Sequence, residues 1–203
     1  YWCVNASNDG GTSAWSGVWN FTTIPLPPSR PTLASPSDGV TGIPIKLTLS
    51  WYASDGAISY QVQVSIDSTF STTVVNKSGI TDTSYSVSGL SNYRLYYWRV
   101  NASNSGGTSD WSSIWHFMTI IAAPTLVSPS KEANGLSTRL TLSWNASGGA
   151  TSYRLQVSTD SLFSTTYVDT SRLAGNSYFV SRLTNNMTYY WRVNASKTAE
   201  TSD

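Results

Sequence analysis

The chain has 203 residues, with 12 Lys and Arg against 11 Asp and Glu and a formal charge of +1. Hydrophobic residues make up 39% and aromatic residues 13%, but charged residues only 11%, where about a quarter is usual. A near-neutral chain without a basic run implies neither nucleic acid nor an anionic membrane as partner, and no stretch approaches the roughly 20 apolar residues of a membrane span.

The chain opens with "YWCVNASNDGGTSAWSGVWNFTTI", residues 1–24, which reads as two strands around a turn at Gly10 and Gly11. In its second half Trp15, Gly17, Trp19, Phe21 and Thr23 share one parity, and Ser16, Val18, Asn20 and Thr22 the other. The polar set belongs in solvent, so Trp19 and Phe21 are expected to face a core. A Pro-rich linker, 25–30, follows and reads as semi-rigid.

Residues 31–120 then carry a run of period-two segments. "IKLTLSW" places Ile45, Leu47, Leu49 and Trp51 on one face; "SYQVQVS" does so with Tyr60, Val62 and Val64; "TSYSVSGL" adds Tyr85 and Val87. "YYWRVNA" turns Tyr96, Trp98, Val100 and Ala102 one way and Tyr97, Arg99 and Asn101 the other, and "WSSIWHFMTI" repeats the closing strand of the opening segment, with Trp115 and Phe117 inward. Alternation of this kind, separated by Gly, Pro, Asn, Asp and Ser, marks half-buried antiparallel strands. After a short linker, 121–123, the pattern begins again at 124 and runs to 203.

These segments are copies. Residues 31–110 align without a gap on 124–203, an offset of 124 − 31 = 93, and 46 of the 80 positions are identical. Residues 1–24 match 97–120 at an offset of 96. The expected organisation is therefore the last two strands of one unit (1–24), a complete unit (31–120), and a third lacking its last strand (124–203). The expected fold class is all-β, in tandem seven-stranded antiparallel β-sandwiches.

Trp51 and Trp144 close a second strand, Tyr60 and Tyr153 open a third, and Leu90 and Leu183 stand six residues ahead of Tyr96 and Tyr189. In these features the repeat resembles the fibronectin type III module, and the fuller wording resembles the tandem variety of secreted bacterial and archaeal proteins. The resemblance implies a tyrosine corner, in which the hydroxyls of Tyr96 and Tyr189 tie their strand to the preceding loop. Together with Trp98, Trp115 and Trp191, these residues form the expected structural core. Trp15 and Trp111 sit beside the hairpin loop. They are expected either in the core or stacked on an outward Arg such as Arg99, as in the Trp-Ser-x-Trp-Ser ladder that "WSSIW" partly resembles. No Arg-Gly-Asp occurs, so the family's integrin-binding role does not carry over.

A search for chemistry returns little. His116 is the only histidine, Cys3 the only cysteine, and the carboxylates Asp38, Asp55, Asp67, Asp82 and Asp160 stand singly in turns. His116 reads as a surface residue and Cys3, in the place of Arg99, as a tolerated substitution. No serine lies in a nucleophile motif and no metal-ligand spacing is present. The expectation is no enzyme, no cofactor and no metal. Seven Asn-x-Ser/Thr sequons, at Asn5, Asn20, Asn76, Asn101, Asn145, Asn186 and Asn194, fall at outward or loop positions and are candidate glycosylation sites, though about four would arise by chance.

The chain starts and stops inside its repeated phrase. One reading is a stretch of a longer array; the other is head-to-tail completion by a neighbouring chain. The duplication of the "VNAS" strand at both ends favours the first. The expected function is a structural repeat of an extracellular or cell-surface fibre, stalk or adhesin, its partners being flanking repeats or copies of itself. The alternatives are the spacer of a secreted polysaccharide-degrading enzyme, or a carbohydrate-binding module for surface glycans.

Overall fold

Alternate side chains of a pleated strand leave opposite faces, so Tyr60, Val62 and Val64 must share one side. The computed structural model, which describes residues 1–197, buries all three. Every element among the described residues is a strand.

The opening copy forms β1 (Ser7–Asn8) and β2 (Gly11–Thr12). The middle copy supplies β3 (Leu33–Ser35), β4 (Val40–Ile43), β5 (Leu47–Trp51), β6 (Ser59–Ser65), β7 (Thr73–Ile80), β8 (Ser84–Val87), β9 (Leu95–Asn104), β10 (Gly107–Thr108) and β11 (Trp115–Thr119). The final copy supplies β12 (Leu126–Ser128), β13 (Leu140–Trp144), β14 (Ser152–Ser158), β15 (Val168–Leu173), β16 (Ser177–Val180) and β17 (Tyr190–Ser196).

In the middle copy two sheets form, β3-β5-β8 and β4-β11-β9-β6-β7, with β10 paired to β9. All pairings are antiparallel except β4 with β11. Leu49 and Val87 from the first sheet meet Val62, Val64, Trp98, Val100 and Phe117 from the second in one sealed core. Each such burial contributes on the order of 1.5–3 kcal/mol. Ile45 was expected on this face but is exposed. The β5–β8 register begins at Leu47 opposite Val87, so nothing continues the pleat as far as Ile45.

The final copy repeats the design in β12-β13-β16 and β15-β14-β17, around Leu142, Trp144, Tyr153, Leu155, Val157 and Val180. Tyr189, Trp191, Val193 and Ala195 are only partly buried here, whereas Tyr96, Trp98, Val100 and Ala102 are fully enclosed. The difference follows from neighbours: β9 lies between β6 and β11, while β17 is bonded only to β14 among the described residues.

The opening copy corrects one expectation. Trp19 and Phe21 do not face a core; they are 68% and 75% exposed, while Phe117, the equivalent of Phe21, is 0% exposed. The hairpin does form, with Trp2 and Trp19 exchanging backbone hydrogen bonds of 2.8 and 3.0 Å and their rings meeting edge to face at 5.7 Å. Among the described residues no second sheet closes over it, and parity alone buries nothing.

Candidate functional site

The tyrosine hydroxyls close loops rather than facing solvent. The Ser91 N–H donates to the Tyr96 hydroxyl at 2.9 Å and the Thr184 N–H to that of Tyr189 at 3.1 Å. A second pair recurs on the neighbouring strand of the sheet: the Ser54 and Ser147 N–H groups donate to the hydroxyls of Tyr60 and Tyr153 respectively, both at 3.0 Å. Trp51 and Trp144 pack edge to face on those same tyrosines, at 5.5 and 5.6 Å. Leu90 is buried and Leu183 half-buried. Trp98 is sealed in, and the half-buried Trp115 meets it edge to face at 6.1 Å.

The most built feature of the outer face is centred on Arg99 of β9. Its guanidinium lies 4.0 Å from the centroid of Phe70 and 4.4 Å from that of Trp111, and donates twice to Gln63 Oε1, at 2.9 and 2.8 Å. Each ring contact contributes about 0.5–2 kcal/mol. Phe70 is presented by a turn that Asp67 organises. The Asp67 carboxylate accepts from the Thr69 and Ser71 N–H groups and from the hydroxyls of Ser65, Thr69 and Ser71. The Thr69 hydroxyl is foremost in holding this carboxyl well below the usual carboxylate range. The final copy repeats the arrangement: Arg192 lies 4.1 Å from the Phe163 centroid and donates to Gln156 Oε1 at 2.8 Å, and Asp160 takes the place of Asp67. Asp67 and Phe70, and Asp160 and Phe163, stand in the same "D..FST" wording of the repeat. Its identical spacing in both copies was the available signal that the Phe belongs to the arginine's stack.

Trp111 reaches Arg99 because residues 109–112 are sewn to β9. The Ser109 and Ser112 N–H groups donate to the carbonyls of Ala102 and Val100, both at 2.8 Å. Their hydroxyls accept in return from the Ala102 and Val100 N–H groups, at 3.0 and 3.1 Å. The opening copy has the same stitching, with Ser13 and Ser16 serving Ala6 and Val4. There the arginine's place is taken by Cys3, which is half-buried, and Trp15 is left 65% exposed.

His116 is a surface residue, its side chain 43% exposed, and it is also tied to Asp38. Its backbone N–H donates to Asp38 Oδ1 at 2.8 Å and its Nδ1 lies 2.8 Å from the same oxygen, which puts the ring proton on Nδ1. Gly39 N–H donates back to the His116 carbonyl at 2.8 Å. This clasp secures the parallel β4–β11 pairing. The separation of Asp38 and His116 by 78 residues hid it from local reading.

Little in the described residues resembles a reaction centre. No group of three or more His, Cys, Asp or Glu side chains among them could hold a metal ion. An open depression of about 330 Å³ is lined by Arg154, Gln156, Arg192, Val193 and Asn194. Its volume is at the low end for ligand pockets, and it lacks their apolar walls. Arg154 is engaged there by Asp169 through two bonds of 2.7 and 2.6 Å.

Residues 44–117 match the family model of the fibronectin type III domain. The middle copy is thus a fibronectin type III domain, and the final copy repeats its sequence at an offset of 93. Among solved structures it is similar to a crystal structure of chicken CNTN1 FN1–FN3 domains, at 19% identity and TM-score 0.39, covering 95% of this chain and 68% of that one. It is also similar to a structure of FN3tt mut, at 23% identity and TM-score 0.35, covering 47% of this chain and 97% of that one. No curated protein sequence matches it.

The fibronectin type III frame explains where the sequons lie. Asn5, Asn20, Asn76, Asn145, Asn186 and Asn194 are exposed. Asn101 is not: it is 5% exposed despite its outward parity. It is flanked on β6 by Gln61, its register partner, and on the other side by the stitched segment that lays Trp111 on the same face. Among the described residues Asn194 has only Arg154 of β14 beside it, and Asn5 only the stitched segment. Burial takes both flanks.

Proposed function

We propose that these fibronectin type III domains are non-catalytic spacers in an extracellular or cell-surface protein, a fibre, stalk or adhesin. The observation that carries this reading is the use made of repeated polar and aromatic residues. Arg99, Gln63, Phe70 and Asp67, with Arg192, Gln156, Phe163 and Asp160, are spent on bonding one another rather than on lining a cavity. The side chains that most invite a ligand reading, Trp111 and Arg99, satisfy each other at 4.4 Å. A Ser- and Thr-rich surface with few charges, 11% of residues, suits a hydrated exterior and supports the extracellular setting. No helix among the described residues is long and apolar enough to cross a membrane.

The test is a broad glycan panel together with polysaccharide hydrolysis assays on the whole chain. The spacer reading expects neither saturable binding nor turnover. Glycan binding that Trp111→Ala abolishes, in a domain that is still folded and unfolds cooperatively, would replace it with a carbohydrate-binding module.

A further inference from the structure

Two joints connect the copies, and both are built at the same end of the receiving domain. In the lower joint Tyr93, in the turn before β9, sits with φ 48° and donates its N–H to the Ile120 carbonyl at 2.9 Å. That bond ties the turn to the residue that precedes the linker 121–123. Across the joint lies Gly149, in the turn between β13 and β14, with φ 79°. A Cβ on Gly149 would fall inside the van der Waals surface of the Tyr93 ring, against its Cγ, Cδ1 and Cε1. Lys197 closes the other side: its Nζ donates to the Tyr93 hydroxyl at 3.1 Å and lies 5.6 Å from the ring centroid.

In the upper joint the linker 25–27 meets the middle domain at equivalent positions. Asn104 Nδ2 donates to the Leu26 carbonyl at 2.9 Å and to the Gly56 carbonyl at 3.1 Å. The Pro25 carbonyl presses on Gly106, and Pro27 Cγ would stand 3.2 Å from a Cβ on Gly107. With the repeat offset of 93, Gly56 corresponds to Gly149 and Asn104 to Lys197. The receiving elements are thus the same in both joints: the turn after the "LTLSW" strand and the residue that follows the "VNAS" segment. What they receive differs, a proline linker in one case and a tyrosine in the other.

We infer that these positions form a repeated docking seat for the preceding segment of the same chain, and that Tyr93 seated on Gly149 and Lys197 fixes the angle between the middle and final domains. A side chain at Gly149 is excluded twice, by the ring it would strike and by a left-handed backbone that side chains disfavour. The seat is independent of the spacer reading, because a loosely jointed chain could still be a spacer and a fixed joint could still flank a ligand site.

The test measures a distance distribution between nitroxide labels at Lys77→Cys and Ser171→Cys in the whole chain, with Cys3→Ser. These positions are exposed, one on each domain. The parent is expected to give one narrow distribution. Tyr93→Asn removes the ring and keeps a residue that tolerates left-handed backbone, as Asn186 does with φ 55° at the equivalent place in the final copy. It is expected to broaden the distribution while leaving the melting temperature unchanged. Gly149→Ala is expected to do the same by blocking the seat, with a melt to confirm that its turn still folds; if it does not, Tyr93→Asn decides. A parent distribution that is already broad, or a Tyr93→Asn distribution superimposable on it, overturns the inference.

Discussion

Phe117 and Phe21 occupy the same place in two copies of one phrase, "WHFMT" and "WNFTT", yet the structure assigns them opposite energetic roles. Phe117 is fully buried, stacks on Tyr96 at a centroid distance of 5.8 Å and is roofed by β3-β5-β8. Phe117→Ala removes a whole ring from a core with no room to collapse, which costs about 3–5 kcal/mol. For a domain of this size that lowers its melting transition by roughly 12 °C or more. Phe21 is 75% exposed, so Phe21→Ala falls within the roughly 0.5 kcal/mol typical of surface changes. The assay is urea unfolding followed by circular dichroism, comparing midpoints at unchanged slope. If both substitutions shifted the midpoint equally, local sequence rather than enclosure would be setting the energetics, and the account of the core would be wrong.

Three further outcomes are expected. Trp111→Ala should cost the middle domain about 0.5–2 kcal/mol through the lost arginine stack, while Trp15→Ala should leave unfolding unchanged; a silent Trp111→Ala would mean the stack is incidental. The Asp169 carboxyl is lowered to about 2, by the hydrogen bonds from Arg154 first and then Gln156. Because the unfolded chain holds its proton up to about pH 4, the stabilisation is fully present above that pH and is lost as pH falls towards 2. Asp169→Asn should flatten that part of the acid unfolding curve for the final domain, and parallel curves would refute the assignment. Secreted from a host that N-glycosylates, the chain should carry no glycan at Asn101, whereas exposed Asn194 is open to modification; mass spectrometry showing Asn101 fully occupied would contradict its burial.

Parity was enough to read the strands. Leu49, Val62, Val64, Trp98, Val100 and Phe117 alternate with polar neighbours, and enclosure between two sheets follows that alternation. The hydroxyl bonds of Tyr96 and Tyr189 were implied by the resemblance to the fibronectin type III module, whereas those of Tyr60 and Tyr153 were not foreseen. What sequence reasoning missed depends on partners rather than pattern. Asn101 has outward parity but is covered from both flanks, and Ile45 has inward parity with no strand to cover it. Trp19 and Phe21 repeat a buried phrase without a facing sheet. The Asp38–His116 clasp and the Tyr93 seat join residues far apart in the chain, so no local window contains them. Phe70 lay in plain view in the repeat, but its role requires knowing that its turn swings over the outward face of β9.

The central claim is a sealed, self-similar interior with its outward aromatics spent on bracing. Fluorine NMR of the chain labelled with 5-fluorotryptophan tests it directly, since each of the nine Trp residues reports its own solvent contact. The resonances of Trp51, Trp98 and Trp144 should be indifferent to a dissolved paramagnetic quencher, and those of Trp2, Trp15 and Trp19 strongly broadened. Quenching of Trp98 to the same degree as Trp15 would mean an open cleft in place of a closed interior, and the reading of these domains as passive spacers would fall with it.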